Sequence, residues 1–309
     1  MWYDPRLPPS DHRGKEFEKT SGRLLPKYYA LKQASKQGLD TDVVANHLVD
    51  IVGASATLLG RECSQVALTS MVAGKKYFSY GRGARLSRPI NEALFIADPA
   101  ERSELLEALR VNGGLQRLGV GQSNRALYTA AMAFCAAIDL LGIGNKKTPG
   151  TYFEILIGHL FAVAFGRNPR KRVEVLALED QRSTLPTDYV FDLGPKQVKF
   201  HLPVKISTRE RVIQVWAHQR ILDGVYGEGR FRGILVALGE TKLGLKKREV
   251  VEICLPDQWA VYQRFIARLY RVYYLDLPAK YAALATAFPN IAVKTIGEFF
   301  AEKTALLTA

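Results

Sequence analysis

Three side chains in the middle of the chain have types suited to splitting a phosphodiester. Glu154 is the one acid in an otherwise apolar run, Thr151–Phe165. Asp188 lies in Leu185-Pro186-Thr187-Asp188-Tyr189-Val190-Phe191, at the start of a β-forming stretch. Lys205 lies in Leu202-Pro203-Val204-Lys205-Ile206-Ser207, between two β-branched residues. Two carboxylates supply hard oxygen donors for Mg²⁺, and an ammonium beside them steadies the charge on a phosphate attacked by water. Each residue also has a plain structural reading: a surface acid, a turn residue, and an edge-strand lysine that deters aggregation. Lys205 fits its plain reading least well, because lysine is rarely buried among apolar neighbours without a role.

These side chains need a scaffold that brings them together. Tyr189–Leu193 and Val198–Ile206 read as two strands joined by Gly194-Pro195-Lys196, a hairpin that brings Asp188 and Lys205 to one end of a sheet. Arg209–Leu222 has helical spacing, with Val212, Val215, Trp216 and Leu222 roughly on one face. Gly233–Leu238 and Val250–Leu255 read as strands and Gln258–Tyr273 as a helix. The succession describes an α/β core with a mixed central sheet.

Asn145-Lys146-Lys147-Thr148-Pro149-Gly150 is the best internal boundary, dividing a mainly helical region, 1–145, from the core, 146–309. Amphipathic runs at Lys27–Lys36, Asp42–Leu59 and Ala100–Arg110 support helices in the first part. Ala126–Gly144 is apolar enough to raise a membrane span, yet it carries Asp139 and many alanines and reads as a buried core helix. Between Gly74 and Arg85 rings alternate with cations, so Tyr77 and Tyr80 are candidates to stack on bases. A solvated hairpin has the same composition.

The formal net charge of +13 and pI near 9.6 point to a polyanionic partner, with nucleic acid first. Cys63, Cys135 and Cys254 are far apart, which argues against a zinc ribbon or disulfide framework and fits a reducing cytoplasm. Met1–Arg13 is polar and carries no apolar signal segment. Gly119-Val120-Gly121 lacks the third glycine of a dinucleotide loop, so no nucleotide cofactor and no membrane are expected.

Asp188, the hairpin, Lys205 and the following helix together resemble the core of PD-(D/E)xK nucleases, with Glu154 on the preceding helix as an auxiliary ligand. The resemblance runs from about residue 150 to 255. The acid usual two residues before the lysine is absent; Pro203 stands there. In type II restriction endonucleases that cut CCGG and its interrupted relatives CCNGG and CCWGG, that acid is likewise absent. A glutamate on the next helix, about thirteen residues past the lysine, replaces it; here that position is His218. Ser207-Thr208-Arg209-Glu210-Arg211 is similar to the Arg-Glu-Arg cluster with which that family reads C:G pairs. Arginine can donate twice to guanine O6 and N7, and glutamate accepts from cytosine N4. Ser207-x-x-Glu210 is also a helix capping box.

The resemblance implies a Mg²⁺-dependent endonuclease acting on double-stranded DNA as a homodimer. Asp188 and Glu154 would hold the metal, Lys205 would steady the phosphate, and Arg209, Glu210 and Arg211 would read bases. His218 takes the exchanged carboxylate's place, or Glu154 carries more of the load. Two alternatives stay open: a structure-selective repair nuclease, and a DNA-binding protein whose nuclease site is dead.

Overall fold

A computed structural model describes residues 12–142, 146–178, 181–209, 212–244, 248–288 and 290–308. The chain opens with two helices, α1 (His12–Gln37) and α2 (Asp42–Glu62). Leu24, Tyr28 and Leu31 of α1 and Val44, Leu48, Ile51, Val52 and Leu59 of α2 recur every three or four residues, and all are buried. Thr41 starts α2, its hydroxyl accepting the Val44 N–H at 3.3 Å. Four short strands follow: β1 (Ser64–Ser70), β2 (Tyr77–Arg82), β3 (Arg85–Leu86) and β4 (Ile90–Asn91). Then come α3 (Pro99–Glu107), α4 (Gly114–Leu141) and α5 (Thr148–Phe165). The apolar run from Ala126 forms the buried part of α4, as its alanines and lone acid suggest.

The second half supplies β5 (Arg170–Leu178), β6 (Gln181–Asp192), β7 (Lys199–Leu202) and β8 (Val204–Lys205), then α6 (Val212–Tyr226) and β9 (Phe231–Ala237). It continues with β10 (Thr241–Gly244), β11 (Glu249–Glu252), α7 (Pro256–Phe265) and β12 (Leu269–Tyr274). The chain closes with α8 (Ala279–Ala287), β13 (Val293–Thr295) and α9 (Ile296–Thr308). The larger sheet has the order β13-β12-β9-β7-β6-β5, with β8 beside β9. It is mixed: β5, β6 and β7 run antiparallel, while β7, β8, β12 and β13 join through parallel pairings around β9 and β12.

Both faces of this sheet are covered. Tyr189, Phe191, Phe200, Leu202, Val204 and Val236 pack toward α4, α5 and α9. Leu235, Ala237, Val272 and Tyr274 pack with Trp216 of α6, Trp259 of α7 and Tyr281 of α8. Helix α5 lies close on the sheet because Gly158 carries no side chain; a Cβ there would come within 2.6 Å of the Tyr189 ring.

Three expectations are corrected. Gln258–Tyr273 is not one helix: α7 ends at Phe265, and Leu269-Tyr270-Arg271-Val272-Tyr273-Tyr274 is strand β12, as its β-branched and aromatic content favours. The basic aromatic segment is not an open loop, since Tyr77–Arg82 is β2, paired with β1, β3 and β4. Nor does packing divide at 145. Strand β11 pairs in parallel with β1, giving a second sheet of order β10-β11-β1-β2-β3, and one apolar core reaches from Leu24 to Leu306.

Lys75 pins the two sheets together. Its ammonium donates to Glu252 of β11 at 2.7 Å, and to Asp276 and the Leu277 carbonyl just past β12, each at 2.8 Å. Asp276 also accepts from Tyr77 and Asn91. Replacing Lys75 by methionine leaves two buried carboxylates facing each other. Lys75→Met is therefore expected to lower the unfolding free energy by about 3 kcal/mol, read from denaturant melts.

Candidate active site

Alternation along the strands decides which side chains meet. Tyr189 and Phe191 of β6, Phe200 and Leu202 of β7, and Val204 of β8 all face the α4–α5 core. Asp188, His201, Pro203 and Lys205 therefore face the other way, toward α6. They line a pocket of about 150 Å³ together with Thr187 and His218. Asp188, Lys205 and His218 are thus brought together as their sequence positions suggested.

Asp188 Oδ2 accepts two hydrogen bonds, from Lys205 Nζ at 2.6 Å and from the Val204 backbone N–H at 2.8 Å. The second has a local cause. The β6–β7 ladder stops at the Tyr189–Leu202 pair, and Pro203 has no N–H with which to continue it. The chain leaves β6 there and stays with β9, Val204 opposite Val236 and Lys205 opposite Ala237. The aspartate side chain takes over the donor the ladder has released.

Glu154 reaches the same region from α5. Its carboxyl is held above the usual range by burial and then by the negative charge of Asp188, with Lys171 and Lys205 partly offsetting both. Thr187 Oγ1 and the Tyr189 hydroxyl, on either side of Asp188, are buried without a hydrogen-bond partner among the described residues. Two repelling carboxylates flanked by orphaned hydroxyls make a donor set that suits a hard divalent cation. No group of three His, Cys, Asp or Glu side chains is placed to hold a metal ion among the described residues, so these two carboxylates would be its main protein ligands. His218 borders the pocket half-buried, its imidazole pushed down by burial and then by Lys205.

The sequence reading missed His201. It lies four residues before Lys205 on the same face, and counting back in twos from the lysine finds it. The residue is 1% exposed, and burial pushes its imidazole down to about 4. Nδ1 meets Gln219 Oε1 of α6 at 3.3 Å, and its ring centroid lies 6.3 Å from that of His218. Glu240 was also missed, and no local pattern marks it. Its buried Oε1 accepts from the N–H and hydroxyl of Thr208 and from Tyr274, fixing the chain just before Arg209.

Arg209 stands apart from the pocket, in a cleft of about 420 Å³ shared with Arg88, Asp139 and Thr241. One of its Nη atoms donates to the Thr241 carbonyl at 3.2 Å. Glu210 and Arg211 lie outside the described residues. Helix α6 is described from Val212, and Thr208 on the approach to it is held by Glu240. Tyr77 and Tyr80 are corrected from base-stacking candidates to core residues. They are 3% and 5% exposed, Tyr77 bonds Asp276, and Tyr80 packs edge-on against Phe78 and Phe95.

The chain is similar in structure to Kpn2I, a Type IIP restriction endonuclease, with a TM-score of 0.78 and 25% identity, covering 92% of this chain and 97% of that one. The chain has the restriction-endonuclease fold. A second likeness, to restriction endonuclease PspGI in its substrate-DNA complex, has a TM-score of 0.43 and 13% identity over 68% of this chain and 92% of that one. No protein-family model matches, and no curated protein sequence is significantly similar. The restriction-endonuclease fold accounts for the mixed sheet.

The buried His201 gives the fold a pH dependence. Its folded value lies below the unfolded 6.5, so the unfolded chain binds the extra proton first as pH falls. Stability present above pH 6.5 is expected to fall by about 3 kcal/mol as pH drops toward 4. Denaturant melts across that range should show this slope, and His201→Gln should flatten it.

Proposed function

We propose that this chain is a type II restriction endonuclease that hydrolyses both strands of double-stranded DNA at a palindromic site containing CCGG or CCNGG. The observation that carries the reading is the Asp188–Lys205 contact at the end of β6 and β8 within a restriction-endonuclease fold. The likeness to Kpn2I over nearly the full length supports it, as does the net charge of +13 on a chain that must approach phosphates.

Asp188 and Glu154 are the residues that would hold Mg²⁺. Bound there, the ion would supply Lewis-acid polarisation of the phosphate and a more acidic water. Lys205, kept beside Asp188, donates to a phosphate oxygen as negative charge grows on it. Its own strand fixes the ammonium, so little reorganisation accompanies the reaction. Arg209 gives up one bond to a carbonyl and turns its two-donor edge to guanine O6 and N7; Glu210 and Arg211 complete the reading of C:G pairs. Symmetric cutting of two strands calls for two such sites, hence a homodimer. His218 borders the pocket at the position where the resembled family carries a glutamate.

Incubation with plasmid DNA and Mg²⁺ is expected to give discrete fragments, and excess EDTA to stop the reaction; a smear would favour a structure-selective nuclease instead. Lys205→Ala is expected to abolish cleavage while cognate binding in Ca²⁺ stays intact. Arg209→Ala should weaken cognate binding by about 1–3 kcal/mol and leave a scrambled duplex unaffected. Gel-shift titration at one salt concentration reads both variants. Equal weakening on the two duplexes would make Arg209 a phosphate contact only.

A further inference from the structure

The orientation of the Gln219 amide can be assigned from its partners. Its Nε2 donates to the Phe231 carbonyl at 2.8 Å and to Asp223 Oδ1 at 2.9 Å, and both of those atoms are acceptors. The NH₂ group must therefore face them, and Oε1 must face His201. Oε1 can only accept, so the His201 nitrogen opposite it, Nδ1, carries the hydrogen. In a neutral imidazole the remaining nitrogen, Nε2, then holds the lone pair. The side-chain hydrogen bond that His201 makes among the described residues runs through Nδ1, and His201 lines the pocket of Asp188 and Lys205.

The other groups in the pocket are committed differently. Lys205 is a donor, and Asp188 Oδ2 is already filled by two donors. No hydrogen bond among the described residues fixes the tautomer of His218. His201 presents an imidazole acceptor whose tautomer is set by the hydrogen-bonded chain behind it, Asp223–Gln219–His201.

We propose that His201 is a further catalytic residue: its Nε2 accepts a hydrogen bond from the attacking water and turns a lone pair of that water toward phosphorus. The proposal rests on the nuclease reading above. It makes Gln219 a positioning residue, since the amide acts only through the ring. Pro203 lines the same pocket between His201 and Lys205.

Two substitutions separate the two nitrogens. His201→Asn keeps an N–H where Nδ1 stands and removes the acceptor; His201→Gln extends an amide oxygen to where Nε2 stands. Single-turnover cleavage is expected to slow by about 100-fold in His201→Asn. His201→Gln is expected to recover at least about tenfold of that loss. Cognate binding in Ca²⁺ should match wild type in both, which also certifies their folding. A long-range ¹H–¹⁵N spectrum of the wild-type imidazoles should show His201 protonated at Nδ1, a readout that needs neither variant. Wild-type speed in His201→Asn, equal loss in both variants, or a hydrogen on Nε2 would overturn the proposal. A wild type that leaves DNA of every sequence uncut would remove the nuclease reading, and this role with it. A wild type that cuts beside an unimpaired His201→Asn would remove this role alone.

Discussion

One carboxylate oxygen does two jobs in this molecule. Asp188 Oδ2 holds the Lys205 ammonium, and it also holds the Val204 N–H at the point where the chain leaves β6 and keeps β9 as its partner. Pro203 makes the second job necessary, because a proline cannot carry a ladder across that step. Lys205, Thr208 and Arg209 all follow from where β8 lands on β9. Side-chain placement and chain path are therefore coupled at a single atom, and the acid serves as a main-chain partner as well as the anchor of Lys205.

Around that atom the sheet sorts side chains by parity. One face of β6, β7 and β8 is wholly apolar and presses on α5, whose Gly158 lets the helix come close. The other face carries the polar groups, enclosed by α6 rather than by solvent. The enclosure explains why burial dominates the shifts at His201 and His218. A few residues onward, buried Glu240 grips Thr208 and Tyr274 and sets the start of the segment that bears Arg209. Pocket and cleft are thus held by separate anchors a short distance apart on one stretch of chain.

What could be read from the residues in order was mostly local. The hairpin showed itself through Gly194-Pro195-Lys196 and the β-branched neighbours of Lys205, and α6 through its apolar face. His201 was hidden in Phe200-His201-Leu202, where a single imidazole looks like a core residue until strand parity is counted from the lysine. Glu240 and the Lys75 cluster depend on partners more than thirty residues away in sequence, and no local pattern encodes them. Tyr77 and Tyr80 misled because alternating rings and cations describe an exposed loop and a strand covered on both faces equally well. The helix assigned to Gln258–Tyr273 failed for a related reason: helical spacing carried past Phe265 into residues whose side chains favour a strand.

The pairing of β1 with β11 has a consequence for how the protein comes into being. Lys75 waits for Glu252 and Asp276, which follow it by 177 and 201 residues. Phe299 of α9, stacked on Phe161 at 4.2 Å, arrives later still. Contacts so distant along the chain close late, and synthesis delivers the N-terminal helices first. On the ribosome, Asp188, His201, Lys205 and His218 all emerge before the strand and helix that finish the body supporting them. A nascent or prematurely terminated chain thus carries all four of these side chains on an unfinished frame.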